Sequence, residues 1–127
     1  MPADEFPSVA ETITQKTIDR YADISGDYNP LHVDEVAAAA SEFGGTIAHG
    51  PIALQTFFRS LTGWLGETAP PAGTEVKVTF RHPVRPGDTV TCELREREDG
   101  AAATNLAAEC VNQDAIPVIS VKAEVPS

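Results

Sequence analysis

Residues 49–66 read HGPIALQTFFRSLTGWLG, and the architecture turns on them. Gly50 precedes Pro51, a residue suited to the first helical position, and Gly66 stands where a left-handed cap ends a helix. Between them Leu54, Phe57, Phe58, Leu61, Trp64 and Leu65 keep a 3.6-residue period, while Ile52 and Ala53 widen the same face. The spacing predicts a helix over about 51–65, ~24 Å long, too apolar to face water.

What covers that helix lies downstream. From Thr74 the texture changes to β: TEVKVTFRH, DTVTCELRERE, AATNLAAECVN and IPVISVKAEV, separated by PVRPGD, EDGAA and QDA. Four consecutive strands with short polar connections form an antiparallel sheet, whose apolar face needs the helix as much as the helix needs the sheet. The charged run after Leu94 reads as a hairpin tip in water. Upstream, ETITQKT alternates like a strand and TIDRYADIS has helical spacing, with Thr17 placed as its cap and Gly26 as its stop. Pro30 keeps Asn29 out of the α region, so DYNPLH is expected to be an ordered loop. Asp34 should cap a short helix, EVAAAASEF, stopped by Gly44 and Gly45. The layout is α+β, and with no repeat, low-complexity tract or linker the whole of 1–127 is expected to be a single domain. Unpaired sheet edges invite a second copy.

Bulk properties exclude several functions. The chain of 127 residues carries a formal charge of −10, from 19 Asp and Glu against 9 Lys and Arg, which repels a phosphate backbone. No nucleic-acid partner is expected. No apolar run approaches the ~20 residues a bilayer requires, and MPADEFPS lacks the basic and apolar regions of a signal peptide, so a cytoplasmic protein without a membrane partner is expected. Cys92 and Cys110 read as reduced, buried small hydrophobes. His32, His49 and His82 follow no zinc spacing, and no metal is predicted.

A denser chemistry sits in residues 25–34, SGDYNPLHVD. Asp-x-Asn-Pro is a common way to build a turn, because Asp and Asn side chains bond nearby backbone and Pro presets the bend. The same turn can also bring Asp27 and His32 together, although five residues apart they would not share one face of a regular helix.

YADISGDYNPLHVD, then GGTIAHGPIALQ, then FRHPVRPGDTV, together resemble the MaoC-like (R)-specific enoyl-CoA hydratases and 3-hydroxyacyl-thioester dehydratases of the hot-dog fold. The resemblance covers about residues 12–92. Its most specific part is D-x-N-P-x-H followed by an H-G that opens a long helix; the PV-x-PGD turn is shared more widely. It implies a single MaoC-like hot-dog domain, an antiparallel sheet wrapped around one long apolar helix, acting as a homodimer or as half of a hot-dog heterodimer. It also implies hydration of a trans-2-enoyl-CoA to the (R)-3-hydroxyacyl-CoA, or the reverse dehydration, with no cofactor beyond the coenzyme A of the substrate.

On that resemblance Asp27 and His32 are the catalytic pair holding one water, and Asn29 supports their placement. Which of the two is the principal acid stays open. Gly50 is the candidate oxyanion donor: it has no side chain to block approach, and its amide lies at the positive end of the helix dipole. His49 is expected to shape the entry to that helix. Arg81, His82 and Arg85 are candidates to meet the phosphates of coenzyme A, and equally a solvated strand end. Some relatives have a small hydroxyl residue on the long helix where this chain has Phe58, which would reshape an acyl pocket. Coenzyme A is favoured over an acyl carrier protein, since carriers are themselves acidic. The rivals are an acyl-CoA thioesterase on the same fold, and an acyl-binding subunit of a heterodimeric hydratase.

Overall fold

The computed structural model describes residues 2–127. Its elements run β1 (Ala10–Thr12), α1 (Gln15–Ser25), α2 (Pro30–Val33), α3 (Glu35–Ala39), α4 (Gly50–Leu65), β2 (Glu75–Phe80), β3 (Thr89–Asp99), β4 (Ala103–Val111) and β5 (Pro117–Pro126). The five strands form one antiparallel sheet in the order β1-β3-β4-β5-β2, wrapped around α4 in the hot-dog arrangement.

Helix α4 begins at Gly50 and ends on Gly66, which is left-handed at φ 70° and returns its N–H to the carbonyl of Thr62. Its core face is Ile52, Ala53, Thr56, Phe57, Ser60, Leu61 and Trp64, with Leu54 and Phe58 on the flanks, partly buried. The periodicity therefore located the helix but missed two buried hydroxyls. Thr56 escapes the cost of burial by donating to the carbonyl of Ala53 at 2.8 Å, and Ser60 Oγ accepts the Val9 amide at 3.3 Å. Against this face the sheet sets Val90, Cys92, Leu106, Ala108, Cys110, Ile119, Val121, Ala123 and Val125.

Cys92 and Cys110 stand opposite each other across β3 and β4, free and fully buried. The Cys92 thiol is pushed well above its ordinary range by hydrogen bonding to Cys110 and by burial. A bulge between Leu94 and Glu96 inserts an extra residue and resets the alternation of β3. Beyond it Arg97 turns to the helix side, its guanidinium 5.2 Å from the Trp64 ring centre.

The N-terminal third departs from expectation at three places. Strand β1 is only three residues long, and α1 starts at Gln15, so the cap is Thr14 rather than Thr17. Thr14 Oγ1 accepts the Thr17 amide at 3.1 Å, a bond that a threonine inside the first turn cannot make for itself. DYNPLH is not wholly loop, because Pro30–Val33 forms one helical turn. The restriction Pro30 places on Asn29 keeps that residue out of the helical region, at φ −51° and ψ 129°, as suits an N-cap, and its Oδ1 accepts the Leu31 amide at 3.0 Å. Helix α3 is capped by Asp34 as expected, but stops at Ala39, short of the two glycines. Ser41 takes over there, its hydroxyl donating back to the carbonyl of Ala38 at 2.5 Å and accepting the Phe43 amide at 3.2 Å.

Candidate active site

Gly26, left-handed at φ 77°, ends α1 and redirects the chain into the 27–34 segment. There Asp27 Oδ1 accepts the Asn29 amide at 3.2 Å, which turns its other oxygen, Oδ2, to within 3.8 Å of His32 Nε2. One turn of helix after an Asx-type bend thus brings together two side chains five residues apart. Asn29 supports the pair through its backbone, while its side chain is spent on capping α2.

His32 is held by a second segment. Its Nδ1 lies 2.7 Å from the carbonyl oxygen of Ile47, and the Ile47 amide donates to the carbonyl of Leu31 at 2.9 Å. A carbonyl only accepts, so Nδ1 carries the hydrogen, and the lone pair of the neutral form of the ring is the one at Nε2, toward Asp27. The pair is graded in exposure: the Asp27 side chain is 54% exposed and that of His32 14%.

His49 belongs to this cluster. Expected to shape the helix entry, it is buried, its ring stacks on His32 with centroids 3.9 Å apart, and its Nε2 donates to the Asp27 carbonyl at 2.9 Å. Tyr21 packs on the same ring at 4.8 Å. The signal for His49 was its adjacency to Gly50, but contact with His32 depends on how the 46–49 segment lies beside α2.

Ligand atoms of Asp27, His32 and His49 lie within 4.8 Å of one another, close enough to raise the question of a cation. The ring geometry does not suit one. An imidazole lone pair lies in the plane of its ring, and the two rings are stacked at only 26°, so their lone pairs run nearly side by side rather than converging. His49 Nε2 is moreover committed as a donor.

Gly50 opens α4 directly after His49, and as the first helical residue it has an N–H with no intrahelical acceptor. A Cβ placed there would come within 2.5 Å of the Phe80 ring. Phe80 ends the edge strand β2 and is 58% exposed, although it was not among the expected site residues. Gly50→Ala is expected to displace that ring and lower turnover ~10-fold or more, while Gly50→Ala with Phe80→Ala recovers part of the loss. Steady-state kinetics of the single and double variants decide it; equal activities of all three proteins would mean that nothing at the helix tip depends on this close approach.

The remaining candidates lie outside the cluster. Arg81 Nε bonds the Ser120 hydroxyl, and the Arg85 guanidinium bonds the carbonyl of Phe43, joining the 41–45 turn to the PGD turn. Both side chains are exposed, as is His82. Phe58 packs edge-on against Phe57 at 5.4 Å, on the flank of the core, and bonds to no member of the cluster.

The sequence and the fold have known relatives. The chain is 37% identical over 90 residues to the (R)-specific enoyl-CoA hydratase of Aeromonas caviae, across 66% of this chain and 64% of the relative. It is 51% identical over 43 residues to 3-hydroxyacyl-thioester dehydratase Z of Mycobacterium tuberculosis, across 34% of this chain and 28% of that protein. The match therefore spans under two thirds of either curated relative. Among solved structures, an unliganded R-hydratase of Pseudomonas aeruginosa superposes with a TM-score of 0.74 at 26% identity, over 95% of this chain and 78% of that one. The pattern of the MaoC like domain fits residues 3–114, nearly the whole described chain, and with the sheet-wrapped helix and the D-x-N-P-x-H segment in place the chain belongs to the MaoC-like domain family.

Proposed function

We propose that the protein is a hydro-lyase that adds water to a trans-2-enoyl-CoA to give the (R)-3-hydroxyacyl-CoA, or removes it in the reverse direction. The observation that carries this reading is the pair itself: a carboxylate oxygen and an imidazole lone pair 3.8 Å apart, too far for a direct hydrogen bond and suited to sharing one oxygen. The similarity to an (R)-specific enoyl-CoA hydratase supports it.

In the hydration direction a water donates to both Asp27 Oδ2 and His32 Nε2, leaving an oxygen lone pair for the β carbon. One proton passes to the pair as the C–O bond forms, and the π electrons move through the α carbon onto the thioester oxygen. The Gly50 N–H, at the positive end of α4, stabilises that oxygen. The proton then returns to the α carbon as the thioester carbonyl re-forms, so one water is added and no electrons leave the substrate. Coenzyme A enters as part of the substrate, and no other cofactor is needed for this step.

The working unit is a homodimer or a hot-dog heterodimer. Among the described residues strand β2 bonds only β5, so its outer edge and the exposed Phe80 beside Gly50 are open to a partner. Among the described residues no helix is long and apolar enough to cross a membrane. With the acidic chain, that agrees with a cytoplasmic enzyme working on a diffusible thioester rather than on nucleic acid.

Incubation with crotonyl-CoA tests the reaction. The enoyl absorbance is expected to fall with formation of (R)-3-hydroxybutyryl-CoA and no free thiol. Thiol release without the hydroxyacyl product would replace this reading with a thioesterase, and no turnover by the pure protein would replace it with an acyl-binding subunit.

A further inference from the structure

We propose that Gln15 is a positioning residue that fixes the place and tautomer of His32, an inference that rests on the hydration reading and extends it to a second layer. Gln15 is the first residue of α1, yet its side chain reaches two other segments as well as Asp19 of its own helix. Nε2 donates to Asp19 Oδ1 at 2.8 Å and to the His32 carbonyl at 2.8 Å, while Oε1 accepts the Thr46 hydroxyl at 2.7 Å. The orientation of the amide is set by its partners. A carboxylate and a carbonyl can only accept, so the nitrogen faces them and the oxygen faces Thr46, whose hydroxyl must donate.

That arrangement joins the two strips of chain on which the His32 ring depends. On one strip lies His32 itself, held at its carbonyl. On the other, Thr46 is buried and directly precedes Ile47, whose carbonyl takes the Nδ1 hydrogen. The Leu31 carbonyl and the Ile47 amide close the strips together at 2.9 Å. If the Ile47 carbonyl moves away, nothing at Nδ1 selects the tautomer, and the hydrogen is free to sit at Nε2, where it would remove the lone pair facing Asp27. Gln15 touches neither Asp27 nor a reacting atom, so it acts through Thr46 and His32.

Nitrogen-15 NMR of the His32 ring reads the tautomer without reference to catalysis. In the wild-type protein the hydrogen is expected at Nδ1. Gln15→Leu and Thr46→Val should each give a mixture of tautomers, and each should lower kcat on crotonyl-CoA ~10- to 100-fold with KM changed by less than about threefold, as for outer partners of ligand histidines. Thr46→Ser, which keeps the donor, should restore the wild-type ring signal and most of kcat. The double variant Gln15→Leu/Thr46→Val should be little worse than either single one, because both break the same chain of bonds. Far-ultraviolet circular dichroism identifies variants that fail to fold, and Gln15→Glu, which keeps the shape and loses both donations, then serves as the second test. An unchanged His32 tautomer in folded Gln15 variants would overturn the proposal whether or not the protein is a hydratase. A wild-type protein inactive on crotonyl-CoA but showing the tautomer shifts would overturn only the reaction.

Discussion

Asp27→Asn and His32→Ala are each expected to lower kcat/KM for crotonyl-CoA by roughly 10^2- to 10^4-fold, the range over which a positioned acid or base acts. The substitutions differ in what else they disturb. Asp27 is exposed, and its Oδ1 bond to the Asn29 amide survives in the amide variant, so Asp27→Asn should keep the fold and lose only the charge and the basic oxygen. His32→Ala also leaves the Ile47 carbonyl without its partner and takes away the ring on which His49 stacks, so some loss of stability accompanies the loss of rate. In the proposed mechanism both groups serve one water molecule, so the double variant should be barely slower than the worse single one. Kinetics on purified variants of verified thermal stability provide the measurement, and full activity in both would end the assignment of this pair.

The largest effect on stability is expected at Phe57. Its ring is fully buried at the middle of α4, against Phe6 at 6.4 Å and Phe58 at 5.4 Å, beneath the centre of the sheet. Phe57→Ala removes the ring and leaves a cavity that a helix clamped between strands cannot collapse, at a cost of about 3–5 kcal/mol. Against a total of about 5–15 kcal/mol for a domain, that loss moves the urea midpoint far down or leaves no folded protein at ambient temperature. Phe58→Ala, on the partly exposed flank, should cost less than half as much. A Phe57→Ala protein within about 1 kcal/mol of wild type would mean that α4 is not the element around which the sheet is packed.

The two positions differ in how far they could be read in the chain. Phe57 and its neighbours follow from local rules: a glycine-proline start, a 3.6-residue period and a glycine stop act within a few residues, and the strands downstream alternate with equal clarity. Even so, Thr56 and Ser60 were missed as core positions, because a hydroxyl is tolerated in a core only once the fold provides the carbonyl or amide it bonds. The misplaced cap at Thr17, the turn of helix at Pro30 and the early end of α3 come from the same limit. Each is decided by which nearby oxygen reaches an amide first, and neighbouring candidates differ by about a kilocalorie or less.

The site divides along the same line. Asp27, Asn29, Pro30 and His32 lie in one short segment whose turn chemistry is local, so the chain order allowed a carboxylate and an imidazole to meet across a bend, and the resemblance to the MaoC-like hydratases singled out the pair. The place of Gly50 at the start of α4 was legible because a glycine-proline step opens a helix and leaves its first amides unpaired. The stacking of His49 on His32, the carbonyl of Ile47 that fixes the tautomer, the reach of Gln15 across three segments and the Phe80 ring lying on Gly50 were not legible. Each joins residues 15 or more positions apart. The amino-acid order determined the long helix, the strands and a bend at Asn29-Pro30, since those are set by neighbours in the chain. The tertiary structure alone decided which nitrogen of His32 holds its hydrogen and what surrounds it, because that depends on segments brought together only when the sheet closes around α4.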